Sequence, residues 1–299
     1  LGLLEFLTFC RDHCARSRTW SDTYSRPSSR CSRCSDSRSD NSRACGCTER
    51  KFDFKGDTSD DGEIVTVLVI GAAGTIGRAC AVRLATEHDV IAADVKATEI
   101  SGTTSRVLDV TNPAVVKAAL QDIDNSHAIS GLIYAAGLNT TGYLDSVDWT
   151  DYERVMAVNL RGAFHVGSAL LEIIRKKPRT IATVFISSTA GLAGEAGGSI
   201  YCASKFGLIG FTQSFAGEIS QFGGRANIVC PGNVDSPMLS DLATKIGARQ
   251  GMTGEQLLEQ WKKSSSLQRL IKPEEVAESC AWLISAQSSG VNGQTVIVD

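Results

Sequence analysis

Tyr201 and Lys205 stand four residues apart in Tyr201-Cys202-Ala203-Ser204-Lys205, a spacing that puts both side chains on one face of a helix. An ammonium so placed can lower a phenol's pKa from about 10 towards working pH. A phenol lowered in this way can pass a proton to or from an alcohol oxygen, which is general acid–base chemistry. Ser188 follows the apolar run 180–186 and can donate a hydrogen bond to the same oxygen, stabilising its developing charge. A surface Tyr/Lys pair would look the same in isolation, so the rest of the chain has to decide.

Residues 64–70 (IVTVLVI) form a continuous β-branched run, as expected of a strand buried on both faces of a parallel sheet. The run leads straight into Gly71-Ala72-Ala73-Gly74-Thr75-Ile76-Gly77 and then into helical periodicity over 78–87. Strand, glycine turn and helix in that order let backbone amides and a helix N-terminus approach a pyrophosphate. The next strand-like run, 90–93, ends in Asp94. A carboxylate there can hold the two ribose hydroxyls of NAD and repel the 2′-phosphate of NADP; a solvated strand-end residue is the other reading.

Taken together, these motifs resemble the short-chain dehydrogenase/reductase family, over residues 62–299. Further matches follow in order: Leu108-Asp109-Val110, Tyr134-Ala135-Ala136-Gly137, Val158-Asn159-Leu160, Pro231-Gly232-Asn233-Val234-Asp235-Ser236-Pro237-Met238, Arg269, and Pro273-Glu274-Glu275-Val276-Ala277. The resemblance implies an α/β fold: a Rossmann-type doubly wound parallel sheet of about seven strands with helices on both faces. It implies hydride transfer between nicotinamide C4 and a secondary alcohol or its ketone, the substrate being of polyol, sugar or hydroxy-acid type. Tyr201 would be the acid–base group, Lys205 would lower its pKa and hold the nicotinamide ribose, and Ser188 would bind the substrate oxygen. The backbone carbonyl of Asn159 would anchor a relay water. The cofactor would lie along Gly71, Gly74, Thr75, Ile76, Gly77, Asp94, Asp109, Val110, Ala135, Ala136 and Gly137, reaching Tyr201, Lys205, Pro231, Gly232 and Val234.

The chain departs from the family pattern in two places. Thr75 stands where single-domain members usually have a glycine, which narrows the space for a pyrophosphate but offers it a hydroxyl. The chain stops at Asp299, where the family usually continues with two glycines and a short tail, so an incomplete end is expected. NAD is the expected cofactor. An NADPH-dependent 3-oxoacyl reductase is the alternative, against which stand Asp94 and the lack of Lys or Arg between Gly71 and Gly77. An alternative of another class is a non-catalytic dinucleotide-binding sensor or scaffold, which would have no need of the tyrosine's chemistry.

Composition narrows the field further. Across the 299 residues the net charge is −3, which gives no basic footprint for nucleic acid. No apolar stretch approaches the roughly 18 residues of a membrane span. Apolar runs alternate with helical periodicity from Glu63 onwards, as in one domain built of βαβ units over 61–299. Cys80, Cys202, Cys230 and Cys280 sit in apolar surroundings and read as buried free thiols of a reducing, cytoplasmic compartment. Residues 1–60 hold the other cysteines in a Ser/Arg/Asp-rich stretch without periodicity, for which disorder is expected. There, Cys31-x-x-Cys34 and Cys45-x-Cys47 are too unevenly spaced for a zinc knuckle, so no metal site is expected. The segment is a poor signal or transit peptide and reads as a fragment or a mis-assigned extension.

Substrate contacts are expected from residues 138–141, 191–198 and 238–266, the last within a mobile lid at about 235–266. Glu195, in the glycine-rich part, can accept hydrogen bonds from a polyol or be solvated. The helical stretches 148–177 and 201–222 carry Ala163, Phe164, Val166, Ala169, Leu170, Leu208, Ile209, Phe211, Phe215 and Ile219. Apolar residues over so wide an arc suggest packing on two sides, hence a homo-oligomer, tetramer or dimer.

Overall fold

The computed structural model describes residues 65–299. The expectations for residues 1–60, their cysteine pairs included, lie outside the described residues. Seven parallel strands form one sheet: β1 (Thr66–Ile70), β2 (Asp89–Asp94), β3 (Thr103–Val107), β4 (Ile129–Tyr134), β5 (Ile181–Ile186), β6 (Gly224–Pro231) and β7 (Thr295–Val298). Their order is β3-β2-β1-β4-β5-β6-β7, so the chain reverses direction across the sheet between β1 and β4. That reversal leaves a crevice at the carboxyl ends of the strands, the usual ligand position in open α/β sheets.

Alternation along β1 assigns its two faces. Leu68 and Ile70 pack with the helices α2 (Pro113–His127), α4 (Gly162–Lys176) and α5 (Ser199–Ser220), through Val116, Leu120, Val166, Leu170 and Leu208. Val67 and Val69 face the opposite way, against α1 (Thr75–Leu84) and α8 (Pro273–Ile284), through Cys80, Leu84, Val276 and Cys280. A strand with both faces covered needs the continuous apolar run seen in the sequence. Each fully buried aliphatic side chain contributes roughly 1.5–3 kcal/mol.

Local signals set the helix starts. Asn112 accepts from the amides of Ala114 and Val115 at 3.1 and 3.2 Å, and Pro113 follows as the first helical residue of α2. Arg269 grips both carboxylate oxygens of Glu275, at 2.8 and 2.6 Å, and Glu275 also accepts from the Lys272 amide. The segment opening α8 is thereby clamped to the loop before it.

The expected helix over 148–177 is interrupted. It comprises α3 (Trp149–Met156), a π-helical stretch Ala157–Arg161, and α4. The Gly162 amide donates to Ala157 O, a bond of π spacing. Tyr134, fully buried at the end of β4, donates from its hydroxyl to Val158 O at 2.6 Å within this stretch. A Cβ on Gly162 would lie 2.4 Å from that hydroxyl, so glycine is what lets the tyrosine in.

The apolar residues read as facing two ways are mostly used up within the chain. Ala163, Val166, Ala169, Leu170, Leu208, Phe215 and Ile219 are all buried in its own core. Phe164, 52% exposed, is the clear exception, and the Phe211 ring packs against it in a tilted pair with centroids 4.4 Å apart. Two-sided packing is therefore narrower than the sequence suggested. Beyond α5 the chain forms α6 (Pro237–Gln250) and α7 (Gly254–Ser264), the latter opened by a Thr253/Gln256 capping box. Among the described residues no helix is long and apolar enough to cross a membrane, and no His/Cys/Asp/Glu cluster could hold a metal ion.

Candidate active site

Three loops and one helix converge at the carboxyl end of the sheet. β5 delivers Ser187 and Ser188, β6 delivers Pro231 to Val234, the loop after β4 brings Asn139 to Thr141, and α5 presents Tyr201 from its first turn. Together with Ile76 and α6 they enclose a cleft of about 160 Å³. Ser188 and Tyr201, distant in sequence, meet on its wall.

The Ser188 hydroxyl oxygen accepts from the Ala190 amide at 3.2 Å, which caps a single helical turn and fixes the side chain. Its proton remains to be donated, and the Tyr201 phenol stands close enough to feel the Ser188 hydroxyl. Burial pushes that phenol up to about 12, and the hydrogen bond with Ser188 pulls the other way. The lowering expected from Lys205 is not what this arrangement produces. Lys205 is buried with its ammonium 5.6 Å from the Tyr201 ring centroid, donating to Ile186 O at 2.8 Å. Burial brings the ammonium itself down to about 8.

Asn159 is fully buried, and it sits in the π-helical stretch. Its amide nitrogen donates to Leu138 O at 2.9 Å and to Ser204 Oγ at 3.0 Å, while its oxygen accepts from the Leu138 amide at 2.8 Å. Ser204 in turn donates to Tyr201 O at 2.7 Å. Asn159 therefore ties the loop after β4 to the helix that carries Tyr201. Gly137 passes close beside the Lys205 ammonium; a Cβ there would lie 3.4 Å away.

The glycine turn packs its own backbone closely against its neighbours. Gly71 has φ +87°, and a Cβ on it would lie 2.4 Å from the Ala136 nitrogen. A Cβ on Gly77 would lie 2.1 Å from Gly71 O. Gly74 is the N-cap of α1 and makes no side-chain cap, and no acidic residue occupies the first turn. The leading amides of α1, from Thr75, Ile76 and Gly77, lack carbonyl partners of their own helix and face the anion-favouring end of its dipole. A pyrophosphate fits such a turn.

Asp94 ends β2 and accepts from the Ala73 amide at 3.0 Å and the Lys96 amide at 3.3 Å. Each carboxylate oxygen keeps a lone pair for a hydroxyl. Asp109 stands just past β3, exposed, with one oxygen accepting from both the amide and the hydroxyl of Thr111. The neighbouring Val110 is buried, and Ala135 donates its amide to Ile70 O, setting Ala135 and Ala136 against the glycine turn.

The cleft thus gathers Ile76, Ser188, Tyr201, Pro231, Gly232 and Val234. Asn159 and Lys205 stand behind it rather than in its wall. Gly71, Gly74, Thr75, Gly77, Asp94, Asp109, Val110, Ala135, Ala136 and Gly137 extend away from it along the strand ends. Of the expected substrate contacts, α6 lines the cleft through Met238, Leu239, Leu242 and Ile246, but α7 does not reach it. α7 packs on α6 instead, so the stretch 251–266 is a second layer. Arg249, which sequence reasoning did not single out, donates to Thr141 Oγ1 at 2.6 Å and lies 5.5 Å from the Tyr143 ring centroid. It ties the end of α6 to the loop after β4. No local pattern marks it, because both partners are more than a hundred positions away.

Residues 71–299 match a family model described as enoyl-(acyl carrier protein) reductase. The chain is 31% identical over 245 residues to a 3-oxoacyl-acyl-carrier-protein reductase of Thermotoga maritima, covering 78% of this chain and 95% of that one. It is 31% identical over 248 residues to dehydrogenase/reductase SDR family member 6 of Danio rerio, covering 80% and 96%. Among solved structures, the ligand-free aldohexose dehydrogenase of Thermoplasma acidophilum superposes with a TM-score of 0.73 at 32% identity, covering 80% of this chain and 94% of that one.

Proposed function

The chain belongs to the short-chain dehydrogenase/reductase family, oxidoreductases that use a nicotinamide cofactor on CH–OH groups and ketones, and within it we propose an NAD-dependent dehydrogenase of secondary alcohols. Polyols, sugars and hydroxy acids are the substrate types proposed. One observation carries the reading: Ser188 and Tyr201 share one cleft wall, with the Lys205 ammonium behind the phenol. The cofactor supplies a hydride acceptor at nicotinamide C4. Ser188 holds the substrate oxygen with its free proton. Tyr201 removes the hydroxyl proton as the C–H bond breaks, and returns it in the reductive direction. Lys205 places a positive charge beside the phenolate that forms, and Asn159 keeps Tyr201's helix and the loop after β4 in register.

Cofactor contacts follow the strand ends. The amides of the turn from Gly71 to Gly77, with the Thr75 hydroxyl, would hold the pyrophosphate. Asp94 would accept from the ribose hydroxyls, while Asp109 and Val110 would flank the adenine. Ala135, Ala136 and Gly137 would run beside the cofactor towards Pro231, Gly232 and Val234. The Lys205 ammonium would serve the nicotinamide ribose.

A specific observation supports NADP as the second reading. Arg78, one residue past the turn, reaches Glu99 O at 3.4 Å in the loop after β2, and Lys96 adjoins Asp94. Two cations near a ribose 2′-phosphate would favour it. The test is the ratio of kcat/KM for NAD and NADP over a panel of secondary alcohols, in wild type and Asp94→Ala. NAD should be preferred, and Asp94→Ala should erode the preference. A wild type that prefers NADP would replace this reading with the reductase one.

Three features supplement the proposal. The four free thiols of the described residues are buried, which supports a reducing, cytoplasmic compartment. The groove between α4 and α5, lined by Phe164, Leu171 and Phe211, supports a homo-oligomer. Residues 61–299 would be the catalytic domain, with α6 and α7 as its lid.

A further inference from the structure

The cleft wall is rich in neutral hydrogen-bonding groups. Besides Ser188 and Tyr201, it is lined by Asn139, Thr140, Thr141, Asn233 and Ser236; the hydroxyls of Thr140, Thr141 and Ser236 donate within the chain, to Asp151, Gly197 O and Val234 O, and keep capacity to accept. Among the described residues, one charged residue lines it, Glu195, and no Lys or Arg does. Glu195 is exposed on the loop after β5, between Gly194 and the start of α5, and near enough for its charge to act on the Tyr201 phenol. Facing it across the cleft, α6 contributes an apolar wall of Met238, Leu239, Leu242 and Ile246.

We infer that the site takes a neutral, polyhydroxylated alcohol or its carbonyl form, with Glu195 accepting hydrogen bonds from hydroxyls beside the reacting carbon, and that it discriminates against carboxylated substrates. This rests on the dehydrogenase reading and narrows its substrate class.

The chemistry runs as follows. An ionised carboxylate only accepts hydrogen bonds, so Glu195 seeks donors, and vicinal hydroxyls supply them. The threonine and Ser236 oxygens can accept, and asparagine can donate or accept, which suits hydroxyls again. Hydrogen bonds to a charged partner are the stronger kind. The apolar wall suits the C–H face of the same molecule. A carboxylated substrate finds the opposite: it would leave water for a cleft whose one charge is of like sign.

Among the described residues, two cations border the cleft without lining it, and a third lies behind it. Arg249 is held by Thr141 and stacks over Tyr143. Lys245 lines an adjoining groove that shares Asn139, Thr140, Thr141, Met238 and Leu242 with the cleft, and its charge is felt by Asp151. Lys205 lies behind the Tyr201 ring and donates to Ile186 O.

The experiment compares kcat/KM for polyols and aldoses with that for 2- and 3-hydroxy acids of equal chain length and for simple ketones and mono-alcohols. It uses both cofactors, with wild type, Glu195→Gln and Arg249→Gln. Wild type should favour the polyhydroxylated class, and Glu195→Gln should lower that class's kcat/KM by about tenfold, chiefly through KM. The same variant should shift the ratio towards hydroxy acids, and its melting temperature should stay near that of wild type because the side chain is exposed. Hydroxy acids that outrun polyols in wild type, with the advantage lost in Arg249→Gln, would overturn the inference and leave the dehydrogenase reading standing. A simple ketone or mono-alcohol that outruns polyols, or a Glu195→Gln that leaves the ratio unmoved, would do the same. Turnover of no class with either cofactor would overturn both.

Discussion

Lys205 is an amine whose burial costs stability as long as it is charged. Its ammonium has a carbonyl partner in Ile186 and comes down to about 8, below the ordinary lysine value. Below about pH 8 both folded and unfolded chains carry the proton, and the folded state bears the full desolvation penalty. Between about 8 and about 10.4 the unfolded chain still binds the proton that the folded chain has released, so this group's contribution to stability rises with pH. Lys205→Met should therefore be more stable than wild type at neutral pH, and the gap should shrink between pH 8 and 10. Denaturant titrations of both proteins across that range check this; a gap independent of pH would mean that Lys205 is not perturbed by burial. Tyr201 has the opposite slope. With its phenol pushed up to about 12, the folded chain holds a proton that the unfolded chain loses above about pH 10, so stability from this group falls at high pH. At neutral pH the phenol is protonated, ready to donate in the reductive direction. Alcohol oxidation by the unliganded form's population should accordingly gain from alkaline pH, read as kcat/KM rising between pH 7 and 9.

The π-helical stretch is the element on which site geometry depends. Tyr134 fills the space beneath it and Gly162 leaves that space open. Gly162→Ala should cost about 1–3 kcal/mol by overpacking. Tyr134→Phe should cost about 1 kcal/mol through the lost bond to Val158 O. Because the closest clash of the new Cβ is with the Tyr134 hydroxyl, the double variant should be less unstable than the sum of the two. Additive losses would show that the two residues do not share the space.

This interruption was not legible in the sequence. Residues 148–177 keep one helical periodicity throughout, and a single extra residue in a turn leaves no mark on it. Among the buried elements β1 and β5 were legible, as apolar runs with both sheet faces covered. β3 was not, since Thr103-Thr104-Ser105-Arg106-Val107 forms an edge strand with mostly exposed side chains. The meeting of Ser188 and Tyr201 in one cleft, with Lys205 close by, was readable from types and spacing, whereas the balance of effects on the phenol was not. That balance depends on burial, which no spacing encodes. Residues 235–266 read as one lid, and only packing separates the cleft wall of α6 from its backing layer α7.

Across the whole molecule, the two helical faces that suggested self-association are largely consumed by the chain's own core. What stays exposed includes Trp149, Phe164 and Phe206, and Phe164 lines a groove together with Phe211. An exposed aromatic flanked by small residues such as Gly167 and Gly210 suits a second copy of the same pair of helices. Light scattering on the chain shortened to begin at Asp61 should give a dimer or tetramer at micromolar concentration, and Phe164→Glu should lower that mass. An active monomer in both would assign the aromatic surface to something else. The strand order, glycine turn and cleft all serve one claim, that the phenol of Tyr201 moves the proton that accompanies hydride transfer. The most direct measurement is NADH formation from a secondary alcohol by wild type and Tyr201→Phe, with NADH affinity measured alongside by fluorescence. Tyr201→Phe should lose on the order of 10²–10⁴ in kcat while binding NADH within a few fold of wild type. A variant that keeps near wild-type kcat would contradict the claim.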